Sequence, residues 1–359
     1  MKSFIDLWKD VVQRVVQSPR EQPSAVTIPN NHVDQQQLLD GPFKRDTHYF
    51  QVRVNEMYLA HQRKWFSAID PMLFVVSEFT YDKKEQSVPF LIGPAMMKNK
   101  LNELPQGMLF RDTRVAGIHP YRGGRLTLSV VLCQVKVGDY ARQLLGLLEG
   151  AANTLDFSTA LGSYVEIAGV ILDGFEAMLG LGDTTPLVGL RCEFDPDAGD
   201  PFAPGFFALI DKPDVSARSL WVRDRQLMKG DSLAESIPYR DADFVLYSVV
   251  RPPENSRTDL DKLAFYPLWE RVQREATTPT EENYASARSN MVSLYQTIVL
   301  SPDLITSQAE ALADDYGKRM KELYDRAKGF GQRARESVSA TDLDRIRDRS
   351  LSFLNQKAQ

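Results

Sequence analysis

Alternating apolar and polar positions dominate the middle of the chain and predict β-strands. Phe50, Val52 and Val54 alternate with polar neighbours, which is the period-two pattern of a half-buried strand. Gly123 and Gly124 can adopt the positive φ angles of a tight turn, so the strands on either side of them are expected to pair as a hairpin. Runs rich in β-branched and aromatic residues predict strands at 48–59, 71–81, 87–96, 108–119, 125–137, 187–194, 206–210, 219–226 and 243–250.

The apolar spacing changes to three and four residues at the N-terminus, which predicts an amphipathic helix. Within residues 3–17, one helical face carries Phe4, Trp8, Val11 and Val15. This face either docks on the body of its own chain or binds a partner or a membrane. The polar face is charge-balanced, which argues against the membrane alternative.

Two apolar segments in the centre of the chain, 139–153 and 158–181, predict a helical pair. Several glycines in these segments allow the two backbones to approach closely. Acidic residues opposite the apolar face indicate a water-facing stripe instead of a lipid span, namely Glu149, Glu166, Asp173 and Glu176.

From residue 258 the spacing is helical and predicts three longer helices, followed by a short charged one. The first surrounds Pro267 and the second begins near Thr280. The third is expected to begin with Ser301 as its N-cap and Pro302 at its first helical position, and to end at the glycines near residue 330. Its apolar seam includes Ile305, Leu312, Tyr316, Met320 and Leu323. This seam needs a partner face, supplied either by the other C-terminal helices or by another subunit.

Together these elements predict an α+β chain, with an antiparallel β-sandwich body, an inserted apolar helical pair and a C-terminal helical domain. The segment 18–45 is rich in proline, asparagine and glutamine and is predicted to be a linker. The predicted domains are an N-terminal helix at 1–17, this linker, a sandwich-rich domain at 46–255 with its insertion at 138–182, and a helical domain at 256–359.

Composition limits the classes of function. The chain is 43% hydrophobic and 25% charged, as in average globular proteins, and its net charge of −5 gives no general attraction to nucleic acid. We therefore expect no sequence-specific nucleic-acid binding. The two cysteines, Cys133 and Cys192, are too few to form a disulfide framework. Charged residues among the first ten positions interrupt the apolar core that a signal peptide needs. A cytoplasmic location is expected.

Catalytic and metal-binding patterns do not stand out in the sequence. The four histidines lack metal-ligand spacing, and neither a nucleophile elbow nor a phosphate-binding glycine loop occurs. Asp195, Asp197 and Asp200 fail the spacing of a calcium loop and are expected to lie in a solvated loop. We predict neither a metal nor a cofactor.

One basic segment in the third C-terminal helix is a candidate for anion contact. Its members are Lys318, Arg319, Lys321, Arg326 and Lys328. Phosphate or anionic lipid would suit such a segment. A solvated helix face near a C-terminus is the simpler interpretation, because the helix dipole also favours cations there.

Three short runs resemble strands of a C2-type β-sandwich. They are Phe50-Gln51-Val52-Arg53-Val54, Ile69-Asp70-Pro71-Met72-Leu73-Phe74-Val75, and Gly124-Arg125-Leu126-Thr127-Leu128-Ser129-Val130. In calcium-binding members the last run leads into paired aspartates, whereas here Cys133, Gln134 and Val135 follow it, and Asp70 is the only ligand that carries over. The resemblance implies a calcium-independent sandwich used for protein or lipid contact. An immunoglobulin-like or new sandwich fits the pattern nearly as well.

Three hypotheses for function follow from these patterns. The first is a non-enzymatic interaction protein, an adaptor or an assembly subunit, whose helical surfaces bind a protein partner or a second copy. The second is a peripheral membrane-binding or pore-forming protein. The third is an enzyme whose site is built from dispersed acids and arginines, for which the candidates are Asp112, Arg114, Arg122 and Arg125.

Overall fold

The structure is a computed structural model of the chain. It describes residues 4–16, 23–60, 69–81, 84–98, 108–136, 138–153, 161–199, 202–278 and 280–337. Within these residues the chain has seven α-helices and three antiparallel sheets, so the fold class is α+β. The helices are α1 Phe4–Val16, α2 Pro94–Lys98, α3 Asp139–Asn153, α4 Leu161–Gly180, α5 Tyr266–Ala276, α6 Glu281–Val299 and α7 Thr306–Ser337.

The strands form a five-stranded, a four-stranded and a three-stranded sheet. The strands are β1 Ser24–Ile28, β2 Tyr49–Tyr58, β3 Ile69–Tyr81, β4 Lys84–Ile92, β5 Met108–Pro120, β6 Leu126–Lys136, β7 Thr184–Phe194, β8 Gly205–Ile210, β9 Leu220–Arg223, β10 Gln226–Lys229, β11 Ile237–Pro238 and β12 Phe244–Val250. The strand orders are β1-β8-β12-β2-β5, β4-β3-β6-β7 and β11-β10-β9. The helical pair α3–α4 is inserted between β6 and β7, which are neighbours in the four-stranded sheet.

The chain divides into two compact units. The body unit comprises Met1–Lys262 together with Pro302–Ile305, and the helical unit comprises Leu263–Ser301 together with Thr306–Gln359. The body unit contains all the sheets, α1 to α4 and the short segment before α7. The helical unit contains α5, α6 and the whole of α7.

Two apolar clusters fill most of the body unit. The first joins the two larger sheets, because Val52 of β2 and Val245 of β12 share it with Val75 of β3 and Val130 of β6. The second lies between the four-stranded sheet and helices α1, α3 and α4, where Phe74 stacks on Phe175 with ring centroids 3.9 Å apart. Alternation along β3 sends neighbouring side chains to these two clusters, so the strand is buried on both faces.

The predicted hairpin between β5 and β6 is wrong. β5 pairs with β2 in the five-stranded sheet, and β6 pairs with β3 and β7 in the four-stranded sheet. Gly123 and Gly124 do have positive φ angles, of 79° and 74°. The turn therefore carries the chain from one sheet to the other, because a tight turn fixes the direction of the backbone but not the partner of each strand.

The segment predicted as a linker, 18–45, is part of the folded body from residue 23 onward. β1 pairs antiparallel with β8 over five residues, and Val26 and Ile28 are buried beside it. Val33 and Phe43 are also buried. Prolines at the ends of a short edge strand are compatible with pairing, so the composition that suggested a linker did not exclude a strand.

The strand predicted at 219–226 is in fact two strands. β9 and β10 pair with each other across Asp224 and Arg225. These two residues have φ angles of 51° and 62°, as a two-residue hairpin turn requires. Neither is glycine, and this is why the turn was not apparent in the sequence.

The third C-terminal helix begins and ends later than predicted. Ser301 does not cap α7, which starts at Thr306, because the intervening segment is bonded to the body unit. The Ile305 N–H donates to Tyr49 Oη at 2.9 Å, and the Leu304 carbonyl accepts from Arg122 Nη2 at 2.6 Å. At the other end, α7 continues through its glycines to Ser337, since a single glycine costs a helix only about 1 kcal/mol.

Candidate functional site

A surface groove runs between α6 and α7 and has a volume of about 620 Å³. From α6 it is lined by Arg288, Met291, Val292 and Tyr295, which recur at steps of three and four and so lie on one side of the helix. The facing residues of α7 are Ala313, Asp314, Gly317, Lys318, Met320 and Lys321. All of these residues belong to the helical unit.

The floor of the groove is apolar, and its α6 wall is exposed to solvent. Ala313 and Met320 form part of the floor and are only 3% and 7% exposed. Val292 and Tyr295 on the wall are 62% and 50% exposed. Opposite them, a Cβ atom placed on Gly317 would meet nothing within 4 Å. The missing side chain at Gly317 therefore leaves room that a larger residue would fill.

Helix α6 has this exposed wall because its apolar residues lie on two faces. Ala287, Leu294 and Ile298 are fully buried and account for the packing of the helix. A second stripe, Val292, Tyr295 and Val299, remains exposed at the same helical spacing. A soluble helix packed on one side needs only the first face, so the second is available for a further contact.

Positive charge surrounds the apolar part of the groove. Arg288, Lys318 and Lys321 are exposed at its rim, against the single carboxylate of Asp314. Among the residues that the structure describes, none of these three cations forms an ion pair. By contrast, the neighbouring Arg319 pairs with Asp315 at 2.8 Å, one turn away on α7. The rim thus has excess positive charge that could meet an acidic ligand.

Stacked aromatic rings hold the helices that frame the groove. Trp269 of α5 stacks on Tyr316 of α7 with centroids 4.1 Å apart, and Tyr284 of α6 stacks on Tyr324 of α7 at 3.9 Å. Burial raises the pKa of Tyr316 to about 12, so this ring stays neutral at physiological pH. The Tyr284–Tyr324 pair lies about one turn beyond Arg288 and Lys321, at one end of the groove.

The predicted seam residues lie in three environments. Tyr316 is buried against Trp269, and Met320 lies in the groove floor. Leu312 and Leu323 are half-buried. Ile305 precedes α7 and packs with Tyr49 and Ile118 in the body unit. The seam is therefore largely covered within one chain, and it is the adjoining face of α6 that remains exposed.

The five predicted anion-contact residues do not act as one patch. Lys318 and Lys321 line the groove. Arg319 is paired with Asp315, and Arg326 is paired with Glu322 at 3.6 Å. Lys328 is exposed two turns beyond Lys321. Two of the five candidates thus converge on the groove, together with Arg288 from α6.

The N-terminal helix packs on the body of its own chain. Leu7, Trp8 and Val11 are buried in the cluster that covers the four-stranded sheet. The side chains of Phe4 and Val15 lie outside the described part of the structure. A partner could reach Trp8 and Val11 only if α1 left the sheet.

The acidic stripe predicted on the helical pair is wrong at Glu149, which is 5% exposed. Its carboxylate accepts hydrogen bonds from the Ala95 and Met96 N–H groups at 3.0 and 3.4 Å, and so caps the first turn of α2. Asp173 is exposed as predicted, Glu176 is half-buried, and the side chain of Glu166 lies outside the described part of the structure. Sequence spacing cannot show a cap that comes from a distant helix.

The four candidates for a dispersed catalytic site are Asp112, Arg114, Arg122 and Arg125. Asp112 pairs with Arg53 at 2.6 Å, Arg122 with Asp46 at 2.8 Å, and Arg125 with Glu193 at 3.3 Å. Arg114 is half-buried on β5. The ion pairs of Asp112, Arg122 and Arg125 are separate from one another, so the structure does not bring the four residues into one site.

Burial keeps the potentially reactive histidine and thiol uncharged. His119 is buried, and desolvation together with the nearby Arg257 and Arg114 lowers its pKa to about 3. Burial also raises the pKa of the Cys133 thiol far above its ordinary value. Neither group has the protonation behaviour of a catalyst at neutral pH.

The predicted or carried-over metal ligands do not assemble a site in the described residues. No group of three or more His, Cys, Asp or Glu side chains among them is placed to hold a metal ion. Asp70 is 2% exposed and accepts from Arg142 Nε at 3.1 Å. In the acidic loop, Asp195 accepts from the Asp197 N–H at 3.1 Å, and Asp200 lies outside the described residues.

Comparison with known proteins gives no family. No protein-family model, no curated protein and no solved structure matches the chain. Among the described helices, none is long and apolar enough to cross a bilayer. Function is therefore inferred from the residues and their surroundings alone.

The sequence pattern did not reveal the groove, although part of it was visible. Helical spacing places Met291 and Tyr295 on the same side of α6 as Leu294 and Ile298. At 100° per residue those four residues lie within an arc of about 100°, which is the ordinary width of one apolar stripe. Their spacing therefore gave no sign of a second, exposed face, and only the two lysines of α7 pointed to the groove.

Proposed function

We propose that this chain is a non-enzymatic interaction protein, an adaptor or an assembly subunit, that binds a helix of a protein partner in the groove between α6 and α7. The observation that carries the proposal is the pair of exposed side chains Val292 and Tyr295 beside an apolar floor. Burying such a wall on a partner would contribute about 25 cal/mol for each Å² of apolar surface.

A helix suits this groove better than a small molecule does. Pockets for small ligands usually bury most of the ligand surface, which requires walls on several sides. Here the described lining comes from two helices only, so the groove is a channel between parallel ridges. A third helix laid along such a channel inserts side chains at steps of three and four residues.

The body unit would support this role as a rigid scaffold. We take its two larger sheets as the layers of the predicted sandwich, because side chains from both share one apolar cluster. The C2-type resemblance agrees with such a scaffold and supplies no ligand set of its own. Cys133 and Cys192 are not joined in a disulfide within the described residues, which favours a reducing compartment, and we place the protein in the cytoplasm on that ground.

The proposal can be tested by site-specific photo-crosslinking in the cells that naturally make the chain. A photoreactive residue replaces Val292 in the groove or, as a matched control, Val170 on α4, which is 60% exposed. We expect a discrete crosslinked protein from position 292 that is absent from position 170. If neither position gives a discrete crosslinked protein, or if both positions give the same one, this docking face loses its support.

A peripheral membrane role is the second candidate, favoured by a different surface. Leu147 on α3 and Val170 on α4 are 73% and 60% exposed, and Tyr140 is 67% exposed two turns from Leu147. Large apolar side chains on neighbouring helices could enter a lipid interface. Sedimentation with vesicles of mixed neutral and anionic lipid tests this role. Binding lost in Leu147→Asp but kept in Val292→Asp would support it, and absence of binding would reject it.

A further inference from the structure

We infer that the partner segment is an acidic amphipathic helix, one whose apolar stripe is flanked by glutamate or aspartate. This inference rests on the proposed docking role of the groove and specifies the chemistry of its occupant. It combines the spacing of the exposed apolar side chains with the unpaired cations at the rim.

The apolar stripe sets the length and spacing of the occupant. Val292, Tyr295 and Val299 extend along α6 from the groove and are all exposed, and Leu300 beyond them is 80% exposed. From Arg288 to Val299 the surface spans about 16 Å, at 1.5 Å per helical residue. An occupant needs about three helical turns to cover it, with apolar residues at steps of three and four.

The cations at the groove rim determine which charges are expected on the flanks of the bound helix. Arg288 stands on the α6 wall, while Lys318 and Lys321 stand on the α7 wall, so cations border the groove on both sides. Asp314 alone opposes them. A helix with carboxylates on both flanks of its apolar stripe would therefore pair with both walls, and a basic helix would be repelled.

Neither of the other ligand classes that carry negative charge suits the surface as well. A nucleic acid would need aromatic side chains interleaved with the cations for stacking, and Tyr295 is the only aromatic residue in the described lining. A small apolar anion would leave most of the exposed stripe beyond the groove uncovered. The extended stripe and the two charged walls favour a helix.

The test selects the occupant without assuming its sequence. A display library of helical peptides, with both flanks and the apolar stripe randomised, is selected on the full-length chain. Clones that also bind Gly317→Phe are discarded, because that substitution fills the groove where a Cβ meets nothing. We expect the surviving helices to be enriched in glutamate and aspartate at the flanks. Survivors with neutral or basic flanks, or no survivors at all, would overturn the inference.

Charge reversal at the rim supplies the matched measurement. Lys321→Glu should weaken binding of a selected helix by about fivefold at low salt, because one favourable pair becomes a repulsion. Lys328→Glu changes the charge equally on an exposed lysine two turns away on α7, outside the groove, and should change binding by less than about twofold. Equal effects of the two substitutions would show that binding does not depend on the charge at the groove rim.

The two proposals fail in different ways. Selected helices without acidic flanks, together with a crosslinked partner at position 292, would overturn the acidic helix and leave the docking role intact. Acidic helices that bind in vitro, with no partner crosslinked in cells, would overturn the docking role alone.

Discussion

His119 is buried inside the body unit, where its Nε2 accepts a hydrogen bond from the Gly117 N–H at 3.0 Å. Its ring also stacks on Phe79, with centroids 4.9 Å apart. A protonated ring would lose the Gly117 hydrogen bond and would place a charge near Arg257 and Arg114. Burial of the ring, and after it these two arginines, explain why its pKa falls to about 3 from an ordinary 6.5.

This depressed pKa predicts a loss of stability in acid. Below pH 6.5 the unfolded chain takes up a proton at His119 and the folded chain does not, so stability present at neutral pH is lost progressively down to about pH 3. The free energy of unfolding should therefore fall by up to about 1.4 kcal/mol per pH unit relative to His119→Gln, which cannot titrate. Urea unfolding of both proteins between pH 7.5 and pH 4.5 measures this difference. Parallel pH profiles would contradict it.

Two glycines in the helical pair show how one residue type can have opposite roles in an element. Gly174 of α4 faces Leu148 of α3 so closely that a Cβ atom would overlap its side chain. Gly150 of α3 faces open space. The expectation that glycine allows close approach of these helices thus applies to Gly174 and not to Gly150.

Alanine at these positions should change stability in opposite directions. Gly174→Ala forces the buried Leu148 to move and should destabilise the protein by about 1–3 kcal/mol. Gly150→Ala meets no neighbour and should stabilise it by about 0.5–1 kcal/mol, the difference in helix propensity. Thermal unfolding of both variants decides the matter. Destabilisation by Gly150→Ala would mean that the outer face of α3 is covered.

The docking of α1 depends on few side chains, so one substitution should release it. A helix of 13 residues is marginal by itself in water. Trp8→Ala removes the largest buried side chain of α1 and should weaken the docking of this helix by about 3 kcal/mol. That loss is enough to raise the rate of amide hydrogen exchange in α1 by roughly a hundredfold. Val12→Ala, at a position 42% exposed, is the control and should leave exchange in α1 nearly unchanged. Similar exchange in all three proteins would argue against this docking.

Element types were more predictable from the sequence than their partners. The predicted bounds of α3 agree with the structure, and those of β2, β3 and β12 agree to within two residues, because each strand or helix presents a regular face to the core. The pairing of β6 with β7 cannot be predicted from local periodicity, since residues 137–183 separate the two strands and both have apolar residues at several positions. The start of α7 depends on the hydrogen bonds that Ile305 donates to Tyr49 and that Leu304 accepts from Arg122, and both partners are distant in sequence.

At the scale of the whole molecule, the α+β class and a helical C-terminal part were predictable, whereas the candidate site was only partly so. Lys318, Lys321 and Met320 were named from the sequence, and all three line the groove. Val292 and Gly317 were not, because exposure of an apolar face and open space beside a glycine depend on how two helices meet. The binding role of the groove remains a proposal.

The most direct measurement of that role compares two substitutions of Gly317 in cells that make the chain with a photoreactive residue at position 295. Gly317→Ala adds one methyl group and favours the helix, whereas Gly317→Phe fills the groove. Gly329→Phe, also in open space on α7 but outside the groove lining, controls for a large residue on this helix. We predict the same crosslinked partner with Gly317→Ala and Gly329→Phe, and a loss of at least about tenfold in yield with Gly317→Phe. Equal crosslinking in all three variants would contradict the assignment of the α6–α7 groove as a docking site.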